Sequence, residues 1–197
     1  MVRLVARLFR LVWGDDVDPA LRPVLAVQFV SSTAGSAAWI FVGIWAKEHL
    51  GASDTALGIA FLGGALLAGA AGYIGGHISD HVGRRPLILI GWGGETAMLL
   101  GFALVGRNTT AGLACAALAP ALGAIGGAAD QAMVADLVPP ERHEAGYAAV
   151  RVAANLGVTF GPPIGGLLLL ARSWPVFFVG TSVLCGIAFV VAWRYIP

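Results

Sequence analysis

Six stretches of mainly apolar residues alternate along this chain with short polar breaks. They run over about residues 23–46, 55–75, 86–106, 111–136, 146–170 and 174–193, and a helix needs about 20 residues to cross the hydrocarbon of a bilayer. The breaks are Lys47 through Asp54, Gly76 through Arg85, Arg107 through Thr110, Pro139 through Glu144, and Arg172-Ser173. Breaks this short force consecutive helices to run antiparallel. Strands are excluded, because the apolar runs are too long for barrel strands and an open sheet edge cannot satisfy its backbone in lipid. The pattern predicts an all-α, polytopic membrane protein: one six-helix transmembrane domain over 23–197, preceded by a segment 1–22 too polar to span.

Composition sharpens this reading. Hydrophobic residues make up 58% of the chain, charged ones 12%, and mean hydropathy is +0.82, values a soluble domain of this length does not sustain. The net charge of +1 matters less than where the positive residues fall. Arg3, Arg7, Arg10, Arg22, Arg84, Arg85, Arg142, Arg151 and Arg194 lie at the end shared by the N-terminus, and Lys47, Arg107 and Arg172 at the other. The positive-inside rule then predicts both termini in the cytoplasm of a cell-membrane protein. Within 1–22, Arg3, Arg7 and Arg10 share one helical face between Val2 and Trp13, which predicts an amphipathic helix on the inner surface. A cleaved signal peptide fits less well, since Asp15, Asp16 and Asp18 interrupt the chain before the first long apolar run. Cys115 and Cys185 sit inside apolar runs and read as packing residues.

The second break, Gly76-His77-Ile78-Ser79-Asp80-His81-Val82-Gly83-Arg84-Arg85, places an acid and two arginines between two apolar stretches. Gly83 lets the chain reverse and Pro86 suits the first turn of the next helix, so the pattern predicts a short charged hinge. Asp80 lies at a helix C-terminus, where the macrodipole disfavours an anion, so a cation must compensate it; Arg84 is the choice. Alternatively, the segment is a solvated, positive-inside turn. Its spacing resembles the signature loop between the second and third helices of the major facilitator superfamily of transporters. The resemblance implies a conformational latch made by Gly76, Asp80, Gly83, Arg84 and Arg85, engaging an acid at the end of helix four, for which Asp136 stands in position. One departure is His81, where the family usually has lysine or arginine; it introduces a group that titrates near neutrality.

On helix five, Gly157-Val158-Thr159-Phe160-Gly161-Pro162-Pro163-Ile164-Gly165-Gly166 resembles the motif of the superfamily's proton-coupled drug antiporters. Gly157, Gly161 and Gly165 form a smooth stripe that another helix backbone can approach, and Pro162 and Pro163 remove backbone donors. Close packing alone would also account for the glycines. Ala148 replaces that motif's earliest glycine, and helix four lacks the arginine many such antiporters carry. Helix two repeats the device with Gly64, Ala68, Gly72 and Gly76, and helices two and five are the middle members of two triplets, which fits a three-plus-three inverted repeat. The family's members have about twelve helices in two such halves. The resemblance therefore implies the N-terminal half of a transporter, with either a missing second six-helix half or a second copy of the chain as partner. A homodimer would bury the glycine stripes against each other.

Polar residues inside the spans are the remaining candidates for chemistry. Glu95 and Asp130 stand near the middle of helix three and within helix four, where a charge costs about 2.5–3.5 kcal/mol; each needs a partner, a proton or water. Glu95 is expected to face helices two and four. Arg151 and Asn155 share a face of helix five with Thr159, and an Asp130 to Arg151 pair is expected because a short loop joins helices four and five. Such a pair would serve either a pathway or packing alone. Gln28, Ser32, Gly35 and Trp39 share a face of helix one, placing Gln28 and Trp39 as solute contacts or as ordinary packing and anchoring residues. The histidines are scattered without metal-ligand spacing, and no phosphate-cradling loop is present, so no enzyme, ATP-driven pump, metal or cofactor is expected. The expected function is secondary active transport of a small solute by alternating access, with proton-coupled efflux as one mode; a membrane scaffold or sensor with a transporter-like fold is the alternative.

Overall fold

A computed structural model describes residues 17–196 of the 197; the amphipathic helix expected over Val2 to Trp13 lies outside them. Six long helices follow: α1 Arg22–Glu48, α2 Asp54–Val82, α3 Arg84–Leu104, α4 Thr109–Leu137, α5 His143–Leu169 and α6 Trp174–Tyr195. Each is long and apolar enough to cross a membrane. Their starts are set locally. Asp18 accepts from Ala20 N at 2.9 Å and opens a 3-10 turn, Pro19–Leu21, that leads into α1. Ser53 accepts from Ala56 N at 3.2 Å before α2, and Asn108 from Ala111 N at 3.0 Å before α4, side-chain oxygens satisfying amides that a helix start leaves without partners. Pro140–Arg142 forms a second 3-10 turn before α5.

The largest departure from the hydrophobic pattern is at the second break. α2 continues through the charged segment to Val82, and Gly83 alone turns the chain, with φ of 91°. The expected loop is thus a helical extension with a one-residue hinge. Hydropathy registers where side chains leave the hydrocarbon, whereas the backbone hydrogen bonds of α2 carry on into the polar zone.

Apart from α3 and α4, sequence neighbours are not the main packing partners. α1 lies along α5, α2 along α4, and α3 sits between α4 and α6, while α1 also contacts α6. Exchanging the triplets α1–α3 and α4–α6 maps the α1–α5 contact onto the α4–α2 contact and the α1–α6 contact onto the α4–α3 contact. That correspondence is the three-plus-three inverted repeat of a half-domain of this fold. One apolar cluster packs at the end where α1 starts and α6 finishes, around Leu21, Val24, Ile88, Trp92, Met133, Val134 and Ala192. The other fills the opposite end with an aromatic cluster in which Trp45 lies 5.2 Å from Phe102 and 5.0 Å from Phe178, centroid to centroid. Such edge-to-face pairs add to area burial.

Glycines let these pairs close. A Cβ on Gly157 would stand 2.6 Å from the Phe29 carbonyl, and one on Gly165 would stand 2.5 Å from the Ala37 carbonyl; at Gly161 it would collide with Ser36 Oγ. The helix-five stripe is therefore consumed by α1 of the same chain, which removes it as a surface for pairing two copies. The helix-two stripe is likewise used internally: Gly64 lies against Ala116 and Ala117, and Gly72 against Ala124, all on α4. Gly76 and Gly166 face open space. Outward residues of α2 such as Leu62, Leu66 and Tyr73 are exposed, as a surface solvated by lipid tails requires.

Candidate functional site

At the end where α1 starts and α6 finishes, three helices are tied by one guanidinium. Arg84, the first residue of α3, forms an ion pair through Nη1 with Asp80 of α2 and through Nε with Asp136 of α4 at 3.0 Å. Nη1 also donates to Ser79 Oγ at 2.7 Å, and Ser79 Oγ donates to the Gly76 carbonyl at 2.7 Å. The Arg84 side chain is 19% exposed, against 58% for Asp80 and 48% for Asp136. A half-wet clasp of this kind can break at modest cost, since exposed ion pairs are individually weak. Gly83 makes the approach possible: its left-handed turn starts α3 directly beside the end of α2. Arg85 takes no part in the ion pairs. Its Nη2 donates to the Trp193 carbonyl at 2.8 Å and so ties α3 to the end of α6. His81 and His77 lie on the exposed face of α2, with ring centroids 4.9 Å apart.

Nearer mid-membrane, α1, α4 and α5 leave a cleft lined by Ser32, Gly35, Ser36, Trp39, Glu95, Pro120 and Val158. Glu95 is 6% exposed. Its carboxylate reaches this cleft between Gly35 of α1, 3.8 Å from where a Cβ would stand, and Gly123 of α4, 2.9 Å by the same measure. It thus faces helices one and four, not two, because α2 packs on another side of α4. Among the described residues Glu95 has no hydrogen bond and no ion pair. Trp39 borders the cleft and is braced edge-to-face by Phe61 at 6.4 Å and Phe102 at 6.3 Å. Ser36 Oγ bonds its own helix at the Ser32 carbonyl, at 2.8 Å, and reaches the Gly157 carbonyl of α5 at 3.3 Å.

Asp130 is fully buried, and its Oδ2 accepts from Trp92 Nε1 at 2.9 Å while Oδ1 has no partner among the described residues. The expected pair with Arg151 does not form. Although a short loop joins α4 to α5, α4 packs on α2 and α3, and α5 packs on α1, so Asp130 turns to α3. Arg151 is exposed instead in a second cleft with Gln28, Gln131 and Tyr147. Asn155 borders the outer part of that region with Glu144 and Arg151. Among the described residues Arg151 has no carboxylate partner. Gln28 Nε2 donates to Ser32 Oγ at 3.0 Å and so joins the two clefts. Trp92, Ser79, Gln131 and Tyr147 were not singled out by sequence. Only Ser79 carried a usable signal, one residue before Asp80 on the turn that meets Arg84. Among the described residues no group of three His, Cys, Asp or Glu side chains is placed to hold a metal ion.

Two inverted triplets of membrane-spanning helices, clasped at one end and opened by polar clefts along α1, α4 and α5, define a multi-pass membrane protein of the inverted-repeat class. Residues 24–197 match the Major Facilitator Superfamily, and the chain belongs to it. It is similar to an uncharacterized MFS-type transporter, YttB, of Bacillus subtilis (strain 168), with 28% identity over 183 residues, covering 88% of this chain and 43% of that protein. The chain therefore spans less than half the length of this relative.

Proposed function

We propose that this chain forms six helices of a secondary active transporter that moves a small solute across the cell membrane by alternating access, exchanging it for protons. The observation that carries the reading is the clasp of Arg84 on Asp80 and Asp136. It joins α2, α3 and α4 at one membrane face through partly hydrated charges, so it can hold one conformation and release it for another. The start of α1, the end of α6, the clasp and most arginines among the described residues share that face, which we assign to the cytoplasm. The solute passes along the face formed by α1, α4 and α5, against a second six-helix unit. Protons are taken up by the acids within the membrane: Glu95, which lines the cleft, and Asp130, whose Oδ1 has no partner among the described residues. The reading fits the name of the Bacillus relative, an MFS-type transporter.

The test is flux in reconstituted vesicles under an imposed proton gradient. Asp80→Asn cuts transport several-fold while the amount of protein in the membrane stays the same. Unchanged flux would remove the clasp from the mechanism, and solute binding with no flux under any gradient would favour a sensor or scaffold.

A further inference from the structure

Two charges of opposite sign lie unpaired along one face of the half. Glu95 reaches the central cleft and Arg151 the neighbouring one, and neither has an ion-pair partner among the described residues. Their separation can be gauged along the helices. Gly35 of α1 stands beside Glu95, and Gln28, which lines the Arg151 cleft, is seven residues earlier on α1. On α5, Arg151 precedes Val158 of the central cleft by the same seven. Seven residues of helix rise about 10 Å, and across that rise the two side chains form no ion pair. Both nonetheless sit inside segments long enough to span the hydrocarbon, where an ionisable group calls for a partner.

Between them runs a polar path. Gln28 and Ser32 are hydrogen-bonded at 3.0 Å, and Ser36 continues the line past Gly35 toward Trp39. Glu144, the other carboxylate of this face, lies two helical turns from Arg151 toward the start of α5, away from Glu95. Going inward from that end, the face therefore presents an acid at the mouth, then a cation, then amide and hydroxyl groups, then a deep acid beside an indole.

We infer that the two clefts are the ends of a single site for an elongated amphoteric solute, with its acidic group on Arg151 and its basic group on Glu95. The inference rests on the transporter reading and narrows its solute. A guanidinium holds a carboxylate or another oxyanion in a fork of parallel donors. Glu95 accepts from an ammonium group, and the Trp39 indole lies at the same end for cation–π contact. A bound solute of this kind supplies both missing counter-charges at once, which a monovalent cation or anion cannot.

The experiment uses the full chain in lipid nanodiscs and calorimetric binding of four probes. They are ω-amino-octanoate, whose end groups stand about 10 Å apart when extended and so match the helical spacing, octanoate, octylammonium, and β-alanine, a zwitterion too short to bridge. The amphoteric probe is expected to bind about tenfold more tightly than any other, the ratio given by one added charge-assisted contact. Arg151→Gln then lowers it to the level of octylammonium, and Glu95→Gln to that of octanoate. Octylammonium binding as tightly as ω-amino-octanoate, or no binding by any probe, overturns the inference, and both results are read on the unaltered protein. Flux separates this from the broader reading: transport of simple cations without preference for the amphoteric probe retains the transporter and removes this site. Selective binding of the amphoteric probe without transport does the reverse.

Discussion

Gly83 carries more than its size suggests. With φ of 91° and ψ of 162°, it occupies backbone space that side chains rarely enter, at a cost of about 1–3 kcal/mol for a non-glycine residue. Gly83→Ala is therefore expected to lower the melting temperature of the purified protein and to loosen Arg84 from Asp80; an unchanged melting curve would show that the turn relaxes freely. Trp92 makes a second residue-scale case. Trp92→Phe keeps the ring but leaves Asp130 Oδ2 without a donor, which costs about 1–3 kcal/mol for a buried group. Asp130→Asn in the same background should recover most of that loss in thermal unfolding, because a neutral amide is less costly to bury than a carboxylate. The Asp80–Arg84 pair was legible from residues alone, four apart around a glycine, whereas Asp136 was found only through the family resemblance. The Trp92 bond was not legible, since it depends on how α3 and α4 are rotated against each other, and apolar runs do not encode that angle.

At the level of helices, glycine spacing was visible but its use was not. Every fourth position of α5 is small, which fits contact with any helix. Only the assembled chain shows that α1 takes the stripe. The consequence is a paired prediction. Gly157→Ala puts a methyl 2.6 Å from the Phe29 carbonyl and should destabilise by about 1–3 kcal/mol through overpacking. Gly166→Ala, on the same helix with open space around it, should be neutral or slightly stabilising, since alanine favours helix. Equal losses at the two positions would mean that α5 does not lie on α1 as described. Helix ends show the same divide. The end of α2 was misjudged because its last turns are polar in sequence and helical in backbone, whereas α6, apolar nearly throughout, begins at Trp174 as its pattern predicts.

Across the whole molecule, the count of helices and their alternating direction followed from hydropathy, while the pairing order did not. A chain of short loops invites the view that neighbours in sequence pack together, and the expected Asp130 to Arg151 contact came from that view. Cysteines offer a direct check. A Cβ at Gly72 would lie 3.6 Å from Ala124 Cβ, inside the roughly 3.5–4.5 Å range that a disulfide needs. In a chain with Cys115 and Cys185 replaced, Gly72→Cys with Ala124→Cys should cross-link in membranes on mild oxidation, and Asp130→Cys with Arg151→Cys should not. The reverse outcome would refute the interleaved order.

That interleaving also bears on how the protein is made. α1 finds its principal partner in α5, and α2 finds its own in α4. Helices released into the bilayer in order of synthesis leave α2 exposing its glycine stripe to lipid until α4 is made, and α1 without its principal partner until α5 is made. A nascent chain halted after α3 would therefore be inserted but unassembled, open to insertion-stage quality control, and protected only once α4 and then α5 slide into place.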